Sequence, residues 1–82
     1  MAGAIIGSNV KIDQNCIINS GAIISHDTII GMSSHITPGA VIAGHVTIGK
    51  RVTIGMCATI FINLTINNDI VINNNENIII NR

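Results

Sequence analysis

Isoleucine occupies every sixth position from Ile6 to Ile78, thirteen sites out of thirteen. Neither a helix nor a strand has a period of six, so the pattern belongs to a supersecondary unit stacked on copies of itself. Two residues before each isoleucine the chain carries a small or apolar residue, among them Ala4, Val10, Cys16, Ala22, Ala40, Val46 and Ala58, with only Glu76 out of pattern. Residues two apart in an extended chain face the same side. Each hexad therefore predicts one short strand with two inward residues, followed by a turn. The residue after the isoleucine is often Gly7, Gly31, Gly49, Gly55, Asp13, Asn67 or another turn former. Gly, Asn and Asp tolerate a left-handed backbone, which places the left-handed turn residue there.

A lone strand and turn cannot bury an apolar face. Three of them closing a triangle can, with the isoleucines filling the middle. Eighteen residues then make one coil, and successive coils stack at a strand spacing of roughly 4.8 Å. The 82 residues give about 4.5 coils of an all-β triangular prism in one domain, residues 1–82. From Asn63 onward the turns are dominated by asparagine, yet Ile66, Ile72 and Ile78 keep register. Residues 63–82 are read as continuing terminal coils in which Asn replaces Gly, with a frayed tail after about residue 74 as the alternative.

Composition narrows the function. Four basic residues balance four acidic ones and Phe61 is the one aromatic residue, which argues against nucleic-acid binding. No apolar run approaches a membrane span and the N-terminus has no signal-peptide pattern, so the expected location is the cytoplasm. Cys16 lies in the inward column and is expected as a buried thiol. Cys57 falls in a turn column, offset from it, so no disulfide between them is expected. The outward threonines scatter, which argues against the aligned rows of an ice-binding face.

Winding the chain at eighteen residues per coil stacks His26 between Ser8 and Gly44. Asp27 then falls directly under His45, in a column with Asn9 and Asn63, where His45 can pair with Asp27 across the coil gap in competition with His26. His35 is half a coil away. Turns and edges are where solenoids place function. A neutral imidazole suits the removal of a proton from an acceptor hydroxyl or amine. A carboxylate beside it, Asp27, would fix its tautomer. Three histidines in separate columns predict no metal site.

The pattern [I/V/L]-G-x-x-small-x, with the stretch Cys16 to Gly55 in particular, resembles the hexapeptide-repeat acyltransferases. More narrowly, it resembles the sialic-acid O-acetyltransferase and UDP-sugar (bacillosamine-type) N-acetyltransferase group. The resemblance implies a single-stranded left-handed parallel β-helix, although the general rule for parallel crossovers is a right hand. It implies an acetyl-CoA-dependent O- or N-acetyltransferase acting on a sugar or nucleotide-sugar, with His26 as general base and Asp27 beside it. It further implies a homotrimer with the site between subunits, His35 near the acyl donor, and a pantetheine groove. Ala43, Gly44, Gly55 and Ala58 are the candidates to line that groove, with a backbone amide near Gly44 as oxyanion donor. Lys50 and Arg51 are candidates for the CoA phosphates. Three features depart from the group: no separate N-terminal nucleotide-sugar domain, no loop over the substrate, and Asn73 and Asn75 where glycines are usual. They favour the alternative of a non-catalytic scaffold, or half of a split or truncated enzyme.

Overall fold

The computed structural model describes residues 3–82. Thirteen two-residue strands follow one another around three faces. The first face holds β1 (Ile5–Ile6), β4 (Ile23–Ile24), β7 (Val41–Ile42), β10 (Thr59–Ile60) and β13 (Asn77–Ile78). The second holds β2 (Lys11–Ile12), β5 (Ile29–Ile30), β8 (Thr47–Ile48) and β11 (Thr65–Ile66). The third holds β3 (Ile17–Ile18), β6 (His35–Ile36), β9 (Thr53–Ile54) and β12 (Val71–Ile72). Each strand from β1 to β10 pairs in parallel with the strand three places on, in a register of eighteen residues, as Ile24 with Ile42 and Ile42 with Ile60. The fold is a left-handed parallel β-helix. None of the described residues forms a helix long and apolar enough to cross a membrane.

The core is the column the hexads predict. From Ile18 to Ile78 the periodic isoleucines are at most 2 % exposed, whereas Ile6 and Ile12 in the first coil are 38 % exposed. Backbone N–H groups bond to the next coil, as Ile23 to the Ala40 carbonyl and Val41 to the Ala58 carbonyl, both at 2.9 Å. The two buried hydroxyls also bond to backbone. Thr28 Oγ1 donates to the Ala43 carbonyl at 3.1 Å, and Ser34 Oγ donates to the Gly49 carbonyl at 2.8 Å. A buried polar group with such a partner costs little, which lets Thr and Ser replace Ala in the inward column. Cys16 is only half-buried, and its thiol donates to the Gly31 carbonyl at 3.1 Å. Cys57 is exposed at a corner.

The left-handed residues do not follow the isoleucine. They precede it by three. Asn9, Asn15, Asp27, Ser33, His45, Arg51, Cys57, Asn63, Asp69 and Asn75 all have φ between 54° and 63°, and Gly3, Gly21 and Gly39 complete the series. The glycines that follow isoleucine serve close approach instead. A Cβ built on Gly31 would lie 2.5 Å from the Gly49 carbonyl carbon, and one on Gly55 would lie 2.5 Å from that of Asn73. Stacked corners leave no room there for a side chain.

The Asn-rich coils continue in register through β13. Asn63 and Asn75 take left-handed corner positions. Asn68 and Asn74 act differently: their Oδ1 atoms accept the Lys50 and Met56 N–H groups of the coil below, each at 2.8 Å. Arg51 and Asp69, also one coil apart, form a two-point pair at 2.6 and 3.1 Å.

Ile42→Ala, in the middle of the column, is expected to destabilise the protein by about 2–5 kcal/mol in urea unfolding. Ile12→Ala, at the half-open end, should cost clearly less. Equal losses at the two positions would contradict the packing described.

Candidate functional site

The corner between the first and second faces carries the candidate residues His26, Asp27, Gly44 and His45. It is built from Ser8–Asn9, His26–Asp27, Gly44–His45 and Ile62–Asn63, one pair per coil. The second residue of each pair is left-handed. This lets adjacent side chains converge, which they could not do in a strand. His26 Nδ1 lies 2.9 Å from Asp27 Oδ2. An ionised carboxylate only accepts, so Nδ1 carries the proton and Nε2 of the neutral ring is bare. The His26 and Asp27 side chains are 57 % and 39 % exposed, so the ring is reachable by a substrate.

Asp27 is held below its ordinary value of 3.8, first by the hydrogen bond from His26, then by the Asn9 side chain beneath it and the charges of His45 and His26; partial desolvation opposes them. It therefore stays a carboxylate through the neutral range. Because the folded-state value is depressed, its contribution to stability is present above the unfolded value. That contribution is lost as pH falls through the folded one.

The next coil seats the ring. A Cβ on Gly44 would lie 2.9 Å from both Cε1 and Nε2 of His26, so glycine leaves the space the imidazole fills. His45 donates its backbone N–H to the His26 carbonyl at 3.1 Å, and the Gly44 carbonyl accepts from Asn63 at 3.1 Å. The Gly44 N–H donates to none of the described residues. Two other corners fill the equivalent place with Asn68 and Asn74, whereas this one has Ile62. Beside Gly44 is a shallow apolar hollow lined by Ala43, Thr59, Ile60, Phe61 and Ile62. Phe61 and Ile62 were not expected here from the sequence. The signal was present as two large apolar residues in the columns above Ala43 and Gly44.

His45 does not stay apart from His26 as separate columns suggest. The two rings meet edge to face with centroids 5.1 Å apart, and His45 Nε2 lies 3.7 Å from Asp27 Oδ2. His35 is not brought to this corner. It sits on β6 of the third face, where Asn19 Nδ2 lies 3.2 Å from its Nε2. Of the groove candidates, Ala43 and Gly44 lie at the site. Ala58 points into the core and is fully buried, and Gly55 is buried under Asn73 and Asn74, so neither presents a surface to a ligand. Lys50 and Arg51 occupy the corner between the second and third faces, where Arg51 is engaged by Asp69.

Residues 27–61 match the family described as bacterial transferase hexapeptide (six repeats). Among solved structures the chain is similar to PerB from Caulobacter crescentus in complex with CoA and GDP-perosamine. The identity is 24 % and the TM-score 0.86, covering 96 % of this chain and 47 % of PerB. It is similar to the acetyltransferase domain of PglB from Neisseria gonorrhoeae at 21 % identity and a TM-score of 0.57, covering 96 % and 44 %. It also resembles the Neisseria gonorrhoeae serine acetyltransferase CysE in complex with serine, at 18 % identity and a TM-score of 0.60, covering 84 % and 36 %. A comparison with curated protein sequences finds no match. The chain spans less than half the length of these three structures. The chain folds as a left-handed parallel β-helix, a fold it shares with these three structures.

Proposed function

We propose that the chain is the β-helix portion of an acetyl-CoA-dependent acetyltransferase that acts on an amine or hydroxyl of a sugar or nucleotide-sugar. The observation that carries this is the His26–Asp27 pair, its bare Nε2 seated on Gly44 beside an amide that donates to none of the described residues. In this reading His26 Nε2 takes the proton of the acceptor as its oxygen or nitrogen attacks the thioester carbonyl. Asp27 holds Nδ1–H and stabilises the imidazolium that forms. The Gly44 N–H supports the oxyanion of the tetrahedral intermediate. When the carbon–sulfur bond breaks, the imidazolium returns its proton to the departing thiolate, giving free CoA.

The hollow lined by Ala43, Phe61 and Ile62 fits the apolar part of an acyl donor's arm. Family resemblance and the similarity to a CoA complex of PerB support the donor; the GDP-perosamine of that complex supports a nucleotide-sugar acceptor. His35 lies on another face, so it reaches this corner only from a second copy of the chain, which fits a homotrimer with shared sites.

Three outcomes follow. Thiol release from acetyl-CoA with a panel of amino and hydroxy sugars should fall by about 10²–10⁴-fold in His26→Ala. Unchanged turnover in that variant would remove His26 as base. Gly44→Ala should lower turnover by displacing the ring while leaving thermal unfolding nearly unchanged, since the added carbon meets only the end of a movable side chain. Acetyl-CoA at a hundredfold over its dissociation constant should stabilise the protein by about 2.7 kcal/mol. No stabilisation would favour a scaffold.

A further inference from the structure

We propose that His26, Asp27 and His45 form a binding site for a divalent transition metal of the zinc class. One nitrogen from each imidazole and a carboxylate oxygen lie within 4.8 Å of one another. Ligand atoms bound 2.0–2.1 Å from a tetrahedral ion are separated by roughly 3.3 Å. The His26 Nδ1–Asp27 Oδ2 and His45 Nε2–Asp27 Oδ2 distances, 2.9 and 3.7 Å, bracket that value.

The donor set selects the metal. Two imidazoles and one carboxylate suit zinc, cobalt, nickel or copper, whereas magnesium and calcium prefer oxygen ligands throughout. The three side chains are 57 %, 39 % and 58 % exposed, which leaves a fourth position for water and a path for entry. The backbone beneath them is fixed. Asp27 and His45 are left-handed corner residues, and their N–H groups bond to the Ser8 and His26 carbonyls at 3.0 and 3.1 Å. Asn9, below Asp27 in the same column, favours the charged form of the carboxylate that a metal needs.

Occupancy has a consequence for the base. A metal on His26 Nδ1 takes the place of its proton. The neutral ring then carries that proton on Nε2, delivered through solvent, so Nε2 has no lone pair left for an acceptor. This part rests on the acyl-transfer reading; the metal site itself does not.

The test is a cobalt(II) or zinc titration of the intact chain, followed by calorimetry and cobalt visible absorption, with no acyl donor present. Wild type should bind one ion per chain. His45→Asn should weaken binding by about tenfold or more. Asparagine already holds this column at Asn9 and Asn63, so the corner is kept. Asp27→Asn is the second variant and should weaken binding likewise. Absence of one-to-one binding, wild-type affinity in both variants, or a thiolate-to-cobalt charge-transfer band pointing to Cys16 or Cys57 would each overturn the site. If the wild type transfers acyl groups, zinc should inhibit it, and His45→Asn, measured against its own zinc-free turnover, should resist that inhibition. Metal binding without inhibition would count against His26 as the base, not against the site.

Discussion

Everything in this chain hangs on the vertical bond between coils. A single hexad offers two inward side chains and a corner, too little apolar surface to hold itself together. What makes it persist is the ladder in which backbone N–H groups find carbonyls on a neighbouring coil, as Val41 finds Ala58. That ladder demands close approach, and close approach dictates the sequence around it. Isoleucine repeats because the column it fills has constant width. Glycine follows isoleucine at Gly31 and Gly55 because the coil above passes within reach of any Cβ. A left-handed residue precedes isoleucine by three because the chain must turn a corner in one step.

The same constraint creates the site. A left-handed corner swings two adjacent side chains together, and an eighteen-residue register sets those two against the next pair above. His26 and Asp27 meet through the first effect, and Gly44 and His45 join them through the second. No loop or lid is involved in positioning any of the four. Their relative placement is a property of the stack, and rigid elements hold functional groups more accurately than loops do.

The columns could be read directly from the sequence. Counting by eighteen put Gly44 over His26 and Asp27 beneath His45, and the structure has both. Side-chain type was less informative than position. Glycine after isoleucine suggested a freely turning backbone, but the turning residue stands three before isoleucine; most are Asn, Asp or Gly, yet Ser33, Arg51 and Cys57 also turn, which no propensity argument selects. Ala58 looked like a small residue for a groove, yet its place two before Ile60 already assigned it to the core. Arg51 looked available for a phosphate, although Asp69 stands eighteen residues on and pairs with it. In each case the column carried the answer and residue chemistry alone did not. The proximity of the two histidines was hidden for another reason. Neighbouring columns on successive coils are close in space, and long side chains bridge the gap between them.

One outcome of the eighteen-residue register concerns how such a chain can change its length. Removing one residue between Asp27 and His45 would turn the later side chain off its column. Removing six would carry it to a different edge of the prism. Only gain or loss of a whole revolution returns the same letters to the same edge, so growth of this architecture is quantised wherever a site spans two rungs.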